Sequence, residues 1–210
     1  MSPGVKVLLA TNNAHKQREL AELLLPLGIG VATPAEFGGL PEVLEDRPTF
    51  AGNASKKVAS AARERRMWAL ADDSGLLVDH LGGAPGVRSA RWAGAHGDDA
   101  ANNAKLLREL SGVPPERRGA RFQTALALAD PDGDVVLVVE GEARGRILEA
   151  PRGENGFGYD PLVCFAEPGL PQTGRTFAEL SGADKSAVSH RGRALRSLAR
   201  CLPATLGVPR

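Results

Sequence analysis

Apolar and polar positions follow one another along this chain in blocks that predict alternating strands and helices. Residues 5–10 form an apolar run that reads as a buried strand, and the polar stretch Thr11-Asn12-Asn13-Ala14-His15-Lys16 follows at once. Leu20, Leu23, Leu24 and Leu27 then recur at helical spacing, which predicts a helix ending near Pro26. Residues 28–48 are rich in Gly and Pro and read as loop with room for one short strand. A second helix is expected to start near Asn53, with Ala54, Val58, Ala61 and Ala62 on one apolar stripe and Lys56, Lys57 and residues 63–66 mostly off it.

Further along, residues 68–71 and 76–78 read as short strands flanking an acidic turn, Asp72-Asp73-Ser74-Gly75. The run Gly82-Gly83-Ala84-Pro85-Gly86 must be loop, and Asp98 suits the N-cap of a helix through Leu110. Residues 121–129 and 135–145 predict long strands joined by a hairpin at Pro131-Asp132-Gly133-Asp134. A last helix is expected over 185–201, with Ala194, Leu195, Leu198 and Leu202 inward. This mixture indicates an α/β fold with an antiparallel hairpin in the sheet. The 210 residues suit a single domain, 1–210, with room for two lobes.

Composition narrows the function classes. Apolar residues at 42% suffice for a real core, and a net charge of +1 without a basic stripe argues against nucleic acid as a partner. Cys164 and Cys201 form no metal-type pair and read as free thiols of a reducing compartment. The apolar run from Val5 is too short for a secretory core or a membrane span, so a soluble cytoplasmic protein that does not enter a membrane is expected.

Four polar clusters carry the candidate chemistry. Thr11 to Lys16 lie between a strand and a helix, where free N–H groups and the helix dipole make an anion site and Lys16 adds a point charge. The plainer alternative is that Asn12 or Asn13 caps the helix. Asp72 and Asp73 repel one another unless a cation lies beside them, which suits magnesium or a water-activating carboxylate, or else a surface turn. Glu45 is a further, more distant metal-ligand candidate. Gly156-Phe157-Gly158-Tyr159-Asp160-Pro161 places two aromatics in a chain with only 4% aromatic residues, so Phe157 or Tyr159 is either a stacking platform for a base or a core anchor. Ser189-His190-Arg191, with Lys185 before them, supply donors suited to a carbonyl or phosphate, or else are solvated helix residues.

In this order the clusters resemble the inosine triphosphate pyrophosphatase, or Ham1-like, family. The resemblance runs from Val5 to about Leu202. It rests on Ala10-Thr11-Asn12-Asn13, Lys16, Glu19-Leu20, Thr49-Phe50, Asn53-Ala54, Ala71-Asp72-Asp73-Ser74-Gly75-Leu76 and Leu81-Gly82-Gly83-Ala84-Pro85-Gly86. Ser89-Ala90-Arg91, Gly156 to Pro161, Lys185-Ser186-Ala187 and Ser189-His190-Arg191-Gly192 complete it.

The resemblance implies an elongated mixed sheet with flanking helices, two lobes around a nucleotide-binding cleft, and a homodimer. It implies Mg²⁺-dependent hydrolysis of ITP, dITP and XTP to the monophosphate and pyrophosphate, before polymerases incorporate them. Carried over, Asp73 is the catalytic and metal-binding carboxylate, with Asp72 and Glu45 as lower-ranked metal candidates. Thr11, Asn12, Asn13, Ala14, His15 and Lys16 hold the triphosphate, and Ser74 contacts substrate. Phe157, Gly158, Tyr159 and Asp160 hold base and sugar, and Lys185, His190 and Arg191 contact the nucleotide. One departure is Gly52, where the family often has Glu. Two other readings are a Maf-like pyrophosphatase acting on different nucleotides and a nucleotide-binding module without catalysis.

Overall fold

The structure is a computed structural model and describes residues 5–207. A single six-stranded sheet organises it, in the order β2-β1-β3-β4-β5-β6. The strands are β1 (Lys6–Leu9), β2 (Gly30–Ala32), β3 (Trp68–Val78), β4 (Gly119–Ala129), β5 (Val135–Ile147) and β6 (Val163–Phe165). The main helices are α1 (Ala14–Leu24), α2 (Phe50–Arg65), α3 (Asp99–Glu109), α4 (Gly182–Val188) and α5 (His190–Leu206). The expected mixed α/β class, with helices flanking a sheet, is what the chain adopts.

The chain divides into two compact units. One holds the described residues up to Asp73, together with Ala125–Glu140 and the stretch from Ala194 onward; the other holds Ser74–Thr124 and Gly141–Arg193. Each has its own apolar core. In the first, Val7 and Leu9 of β1, Leu70 of β3 and Leu126 and Leu128 of β4 pack with Leu20 and Leu24 of α1 and Leu198 and Leu202 of α5. In the second, Leu76, Phe122, Val163, Phe165 and Phe177 pack with Leu106 of α3 and with Leu110 just past its end. Edge-to-face contacts at 5.2 Å (Phe122–Phe177) and 5.9 Å (Phe165–Phe177) knit that core.

In the first unit β1 pairs in parallel with β2 on one side and with β3 on the other. β1 is therefore the strand at which the chain switches direction across the sheet. In parallel α/β sheets, ligand sites gather outside the carboxyl end of such a strand. Residues 11–16 occupy that end.

Several elements depart from expectation, each for an identifiable reason. The acidic segment is no turn: β3 runs unbroken through Asp72-Asp73-Ser74-Gly75. Turn propensity is a local preference, and here the side chains of Asp72 and Asp73 are drawn to partners on other elements. Helix α2 begins at Phe50, three residues before Asn53, because Thr49 is its cap and accepts a hydrogen bond from the Gly52 N–H at 3.0 Å. The last helix is two. Ser189 is extended between α4 and α5, and its hydroxyl accepts from the Gly192 N–H at 3.1 Å, capping α5. The loop over 28–48 contains β2 and a short 3₁₀ turn, Pro34–Phe37. The hairpin at residues 130–134 is present, with the Asp130 N–H donating to the Asp134 carbonyl at 3.0 Å. Strand β6, paired antiparallel with the end of β5, was not expected.

Candidate active site

In the first unit the candidate side chains stand on the carboxyl side of β1, on β3 and on α2. Asn13 takes the capping role: its side-chain oxygen accepts from the Lys16 N–H at 3.3 Å. Thr11 accepts from the Asn13 N–H at 3.2 Å, and its own carbonyl accepts from the Gln17 side chain at 2.7 Å. Asn12, Asn13 and Ala14 are exposed and Thr11 is half-buried, so this turn is open to a ligand. The side chain of His15 lies outside the described part of the structure.

Successive residues of a strand face opposite ways, and the acidic pair divides accordingly. Asp72 is met by Lys16, whose ammonium lies 2.7 Å from its carboxylate. Asp73 is met by α2. Asn53 donates to one carboxylate oxygen at 3.0 Å, and the Lys57 ammonium lies 3.6 Å from the other. Lys57 also donates to Glu45 at 2.9 Å. Asn53 is fully buried, and its own oxygen accepts from the Arg47 N–H at 2.9 Å, so its amide is locked in orientation.

This wiring sets the charge state. Burial pushes the Asp73 carboxyl above its ordinary value; Lys57, Asn53 and Lys16 pull it back, Glu45 pushes further, and the net direction is up. Burial works against the charge on Lys57, but Asp73, Asp72 and Glu45 outweigh it and hold the ammonium above its ordinary value. Asp73 is thus a carboxylate poised to take a proton, beside a firmly charged lysine.

A divalent cation can be tested against these residues. Among the described residues no group of three or more Asp, Glu, His or Cys side chains converges as a metal cage. Glu45 and Asp73 nevertheless share one ammonium, and two carboxylates with waters and phosphate oxygens are the donor set magnesium takes. Asp72 faces Lys16 instead.

Gly52 is accounted for locally. A Cβ at this position would lie 2.9 Å from the Arg47 Cβ, so the Arg47 stem occupies the room a larger residue would need.

In the second unit the aromatic loop splits its roles. Tyr159 is the core anchor, buried, with its hydroxyl donating to the Ser89 carbonyl at 2.9 Å. Phe157 is 45% exposed, with the Lys185 ammonium 4.9 Å and the Arg191 guanidinium 5.8 Å from its ring centre. Asp160 is buried; it accepts from Lys185 at 2.5 Å and from the Phe157 N–H at 2.9 Å. His190 and Arg191 are buried rather than solvated. The His190 ring stacks on Phe122 at 5.0 Å, and Arg191 donates to the Ser74 hydroxyl at 3.3 Å. Lys185, Asp160, Phe157, Arg191 and Ser74 therefore form one connected cluster.

The Ham1 family profile matches residues 7–201. The chain belongs to the Ham1 family. A relative from Desulforamulus reducens named "dITP/XTP pyrophosphatase" is 53% identical over 192 residues, covering 91% of this chain and 92% of the relative. A Geobacillus kaustophilus protein of the same name is 50% identical over 193 residues, covering 92% of each. Among solved structures, a HAM1 protein from Coxiella burnetii matches with a TM-score of 0.86 at 39% identity, covering 95% of this chain and 99% of that one. The crystal structure of a nucleoside-triphosphatase, dITP/XTP pyrophosphatase, from Mycobacterium abscessus matches with a TM-score of 0.77 at 46% identity, covering 92% of this chain and 98% of that one.

Pattern reading missed some of the residues in these two candidate clusters. Asn53 and Lys57 are four apart on α2 and so share a face; that spacing was the available signal for a common partner, Asp73. Asp99 and Asn103 of α3, also four apart, both bond to Gly158.

Proposed function

We propose that this protein hydrolyses noncanonical purine nucleoside triphosphates, ITP, dITP and XTP, to the monophosphate and pyrophosphate, removing them before incorporation into DNA or RNA. The observation that carries this reading is the environment of Asp73, held by Asn53 and Lys57 on α2 with Glu45 on the same ammonium. The names of relatives about half identical over nine-tenths of the chain support the same substrate class.

The triphosphate is assigned to the turn 11–16, with Lys16 and Lys57 offsetting its charge. Asp73 orients a water for in-line attack on the α-phosphorus and takes its proton. The bond from that phosphorus to the bridging oxygen breaks, and pyrophosphate leaves. Glu45 and Asp73 are the residues that would hold Mg²⁺, with Asp72 as a further candidate. When bound, the ion neutralises phosphate charge that would repel the nucleophile.

The nucleoside is assigned to the other cluster. Phe157 offers its open ring to the purine, and base–aromatic stacking is worth about 1–3 kcal/mol. Hypoxanthine and xanthine carry an acceptor oxygen at C6 where adenine carries an amino group. Donors from His190 and Arg191 match that oxygen and oppose adenine, and such a mismatch can reject a substrate by about 10⁴. Asp160, fixed by Lys185, faces the sugar side of the same assignment, and Ser74 contacts substrate. The protein is read as a cytoplasmic homodimer. Among the described residues no helix is long and apolar enough to cross a membrane.

The test is pyrophosphate release from ITP, XTP, GTP and ATP, with Mg²⁺ and with EDTA. Metal-dependent turnover of ITP and XTP far above GTP and ATP is the expected result. Equal rates on all four would remove the base selectivity, and no turnover of any would remove the reaction.

A further inference from the structure

The loop that carries Phe157 has little regular structure of its own to hold it. Gly156 and Gly158 both adopt left-handed backbone, at φ 83° and 62°, and the nearest backbone bond within the loop, Asp160 N–H to the Phe157 carbonyl, is long at 3.3 Å. Phe157 is 45% exposed, so packing covers only part of the residue. Its position depends also on what holds the backbone on each side.

Helix α3 does so from outside the loop. Asp99 accepts from the Gly158 N–H at 2.7 Å, and Asn103 donates to the Gly158 carbonyl at 2.9 Å. Both polar backbone groups of a single residue are thus gripped by side chains one helical turn apart on one face. The helix is itself anchored. Asp98 caps it by accepting from the Ala101 N–H at 2.9 Å, Leu106 is buried in the core, and Asn102 accepts from the Ala93 N–H at 2.7 Å. On either side of Gly158, the Phe157 N–H is held by Asp160 and the Tyr159 hydroxyl by Ser89.

We infer that Asp99 and Asn103 are positioning residues that grip Gly158 and so fix Phe157 as the platform for a purine base. The inference rests on the reading that Phe157 meets the base. Neither residue touches the reacting phosphates in this assignment. Loosening the grip lowers affinity for the nucleoside equally in ground and transition states, which raises KM and leaves kcat nearly unchanged.

The experiment is steady-state kinetics on ITP for wild type, Asp99→Ala, Asp99→Asn and Asn103→Ala, with thermal melting of each. Losing one such bond is expected to raise KM about tenfold in Asp99→Ala and Asn103→Ala, with kcat within about threefold. Asp99→Asn keeps an acceptor oxygen for the Gly158 N–H and should stay within about threefold of the wild-type KM. Unchanged KM in both alanine variants overturns the inference. So does a fall in kcat as large as the rise in KM, or an Asp99→Asn variant no better than Asp99→Ala. A wild-type protein inert toward ITP overturns the functional reading and this inference with it, while an active wild type with indifferent variants overturns the inference alone.

Discussion

Lys16 sets its ammonium 2.7 Å from the carboxylate of Asp72, whose side chain is only 2% exposed. Removing one partner of a buried pair costs about 3–5 kcal/mol, because the remaining charge stays in a medium that solvates it poorly. Lys16 keeps 18% of its side chain in solvent, which favours the lower end of that range. Lys16→Ala is therefore expected to lower unfolding free energy by about 3 kcal/mol, measured by urea denaturation. The double variant with Asp72→Asn should recover much of the loss, since it removes the stranded charge as well. Strictly additive effects in this cycle would mean that the two groups are not coupled.

Asp73 separates chemistry from folding more cleanly. Asn in its place keeps an oxygen for the Asn53 amide but cannot take a proton from water. Asp73→Asn should fold like wild type and lose about 10²–10⁴ in turnover, the usual weight of an acid–base group. Pyrophosphate release and circular dichroism on the same preparation decide it. A near-normal rate would remove Asp73 from the catalytic role.

Base selection can be probed at His190 and Arg191. His190→Phe preserves a ring against Phe122 while removing the nitrogen donors. Arg191→Ala removes the guanidinium that donates to Ser74 and lies near the Phe157 ring. Leaving a buried acceptor without its donor costs about 1–3 kcal/mol, so each variant should shrink the ITP-to-ATP ratio of kcat/KM by about tenfold. If both retain the wild-type ratio, discrimination at C6 lies elsewhere.

What could be read from the chain followed the range of the forces involved. The first strand, the α1 periodicity and the turn at residues 130–134 are encoded by neighbours and appear as expected. The Asp72-Asp73-Ser74-Gly75 run looks like a turn to any local rule, yet it lies inside β3 because Lys16, Asn53 and Lys57 meet its carboxylates from other elements. The break at Ser189 was hidden by a helical stripe that continues past it, although serine is a common cap. Lys57, Asp99 and Asn103 were passed over for a different reason. Periodicity reports which face of a helix is apolar, and polar residues off that face look solvated until the fold brings a carboxylate or a backbone amide to them.

A pH-dependent stability follows from Glu167. Arg193 grips it with both terminal guanidinium nitrogens, at 2.9 and 2.7 Å, and the Arg144 N–H adds a bond at 2.9 Å. Partial burial raises its carboxyl, but those donors outweigh burial and hold it below the ordinary value of 4.5. A carboxyl whose folded value is depressed contributes its full stabilisation above its unfolded value, and loses it as pH falls through the folded one. Glu167→Gln should then cost about 2 kcal/mol at pH 7, the weight of a two-pronged charge-assisted contact. That cost should narrow once the pH drops below 4.5 and close at the acid end. Urea unfolding of both proteins at pH 7, 5, 4 and 3 gives the comparison. A gap that stays constant across the series would show that the Arg193–Glu167 contact acts through packing alone.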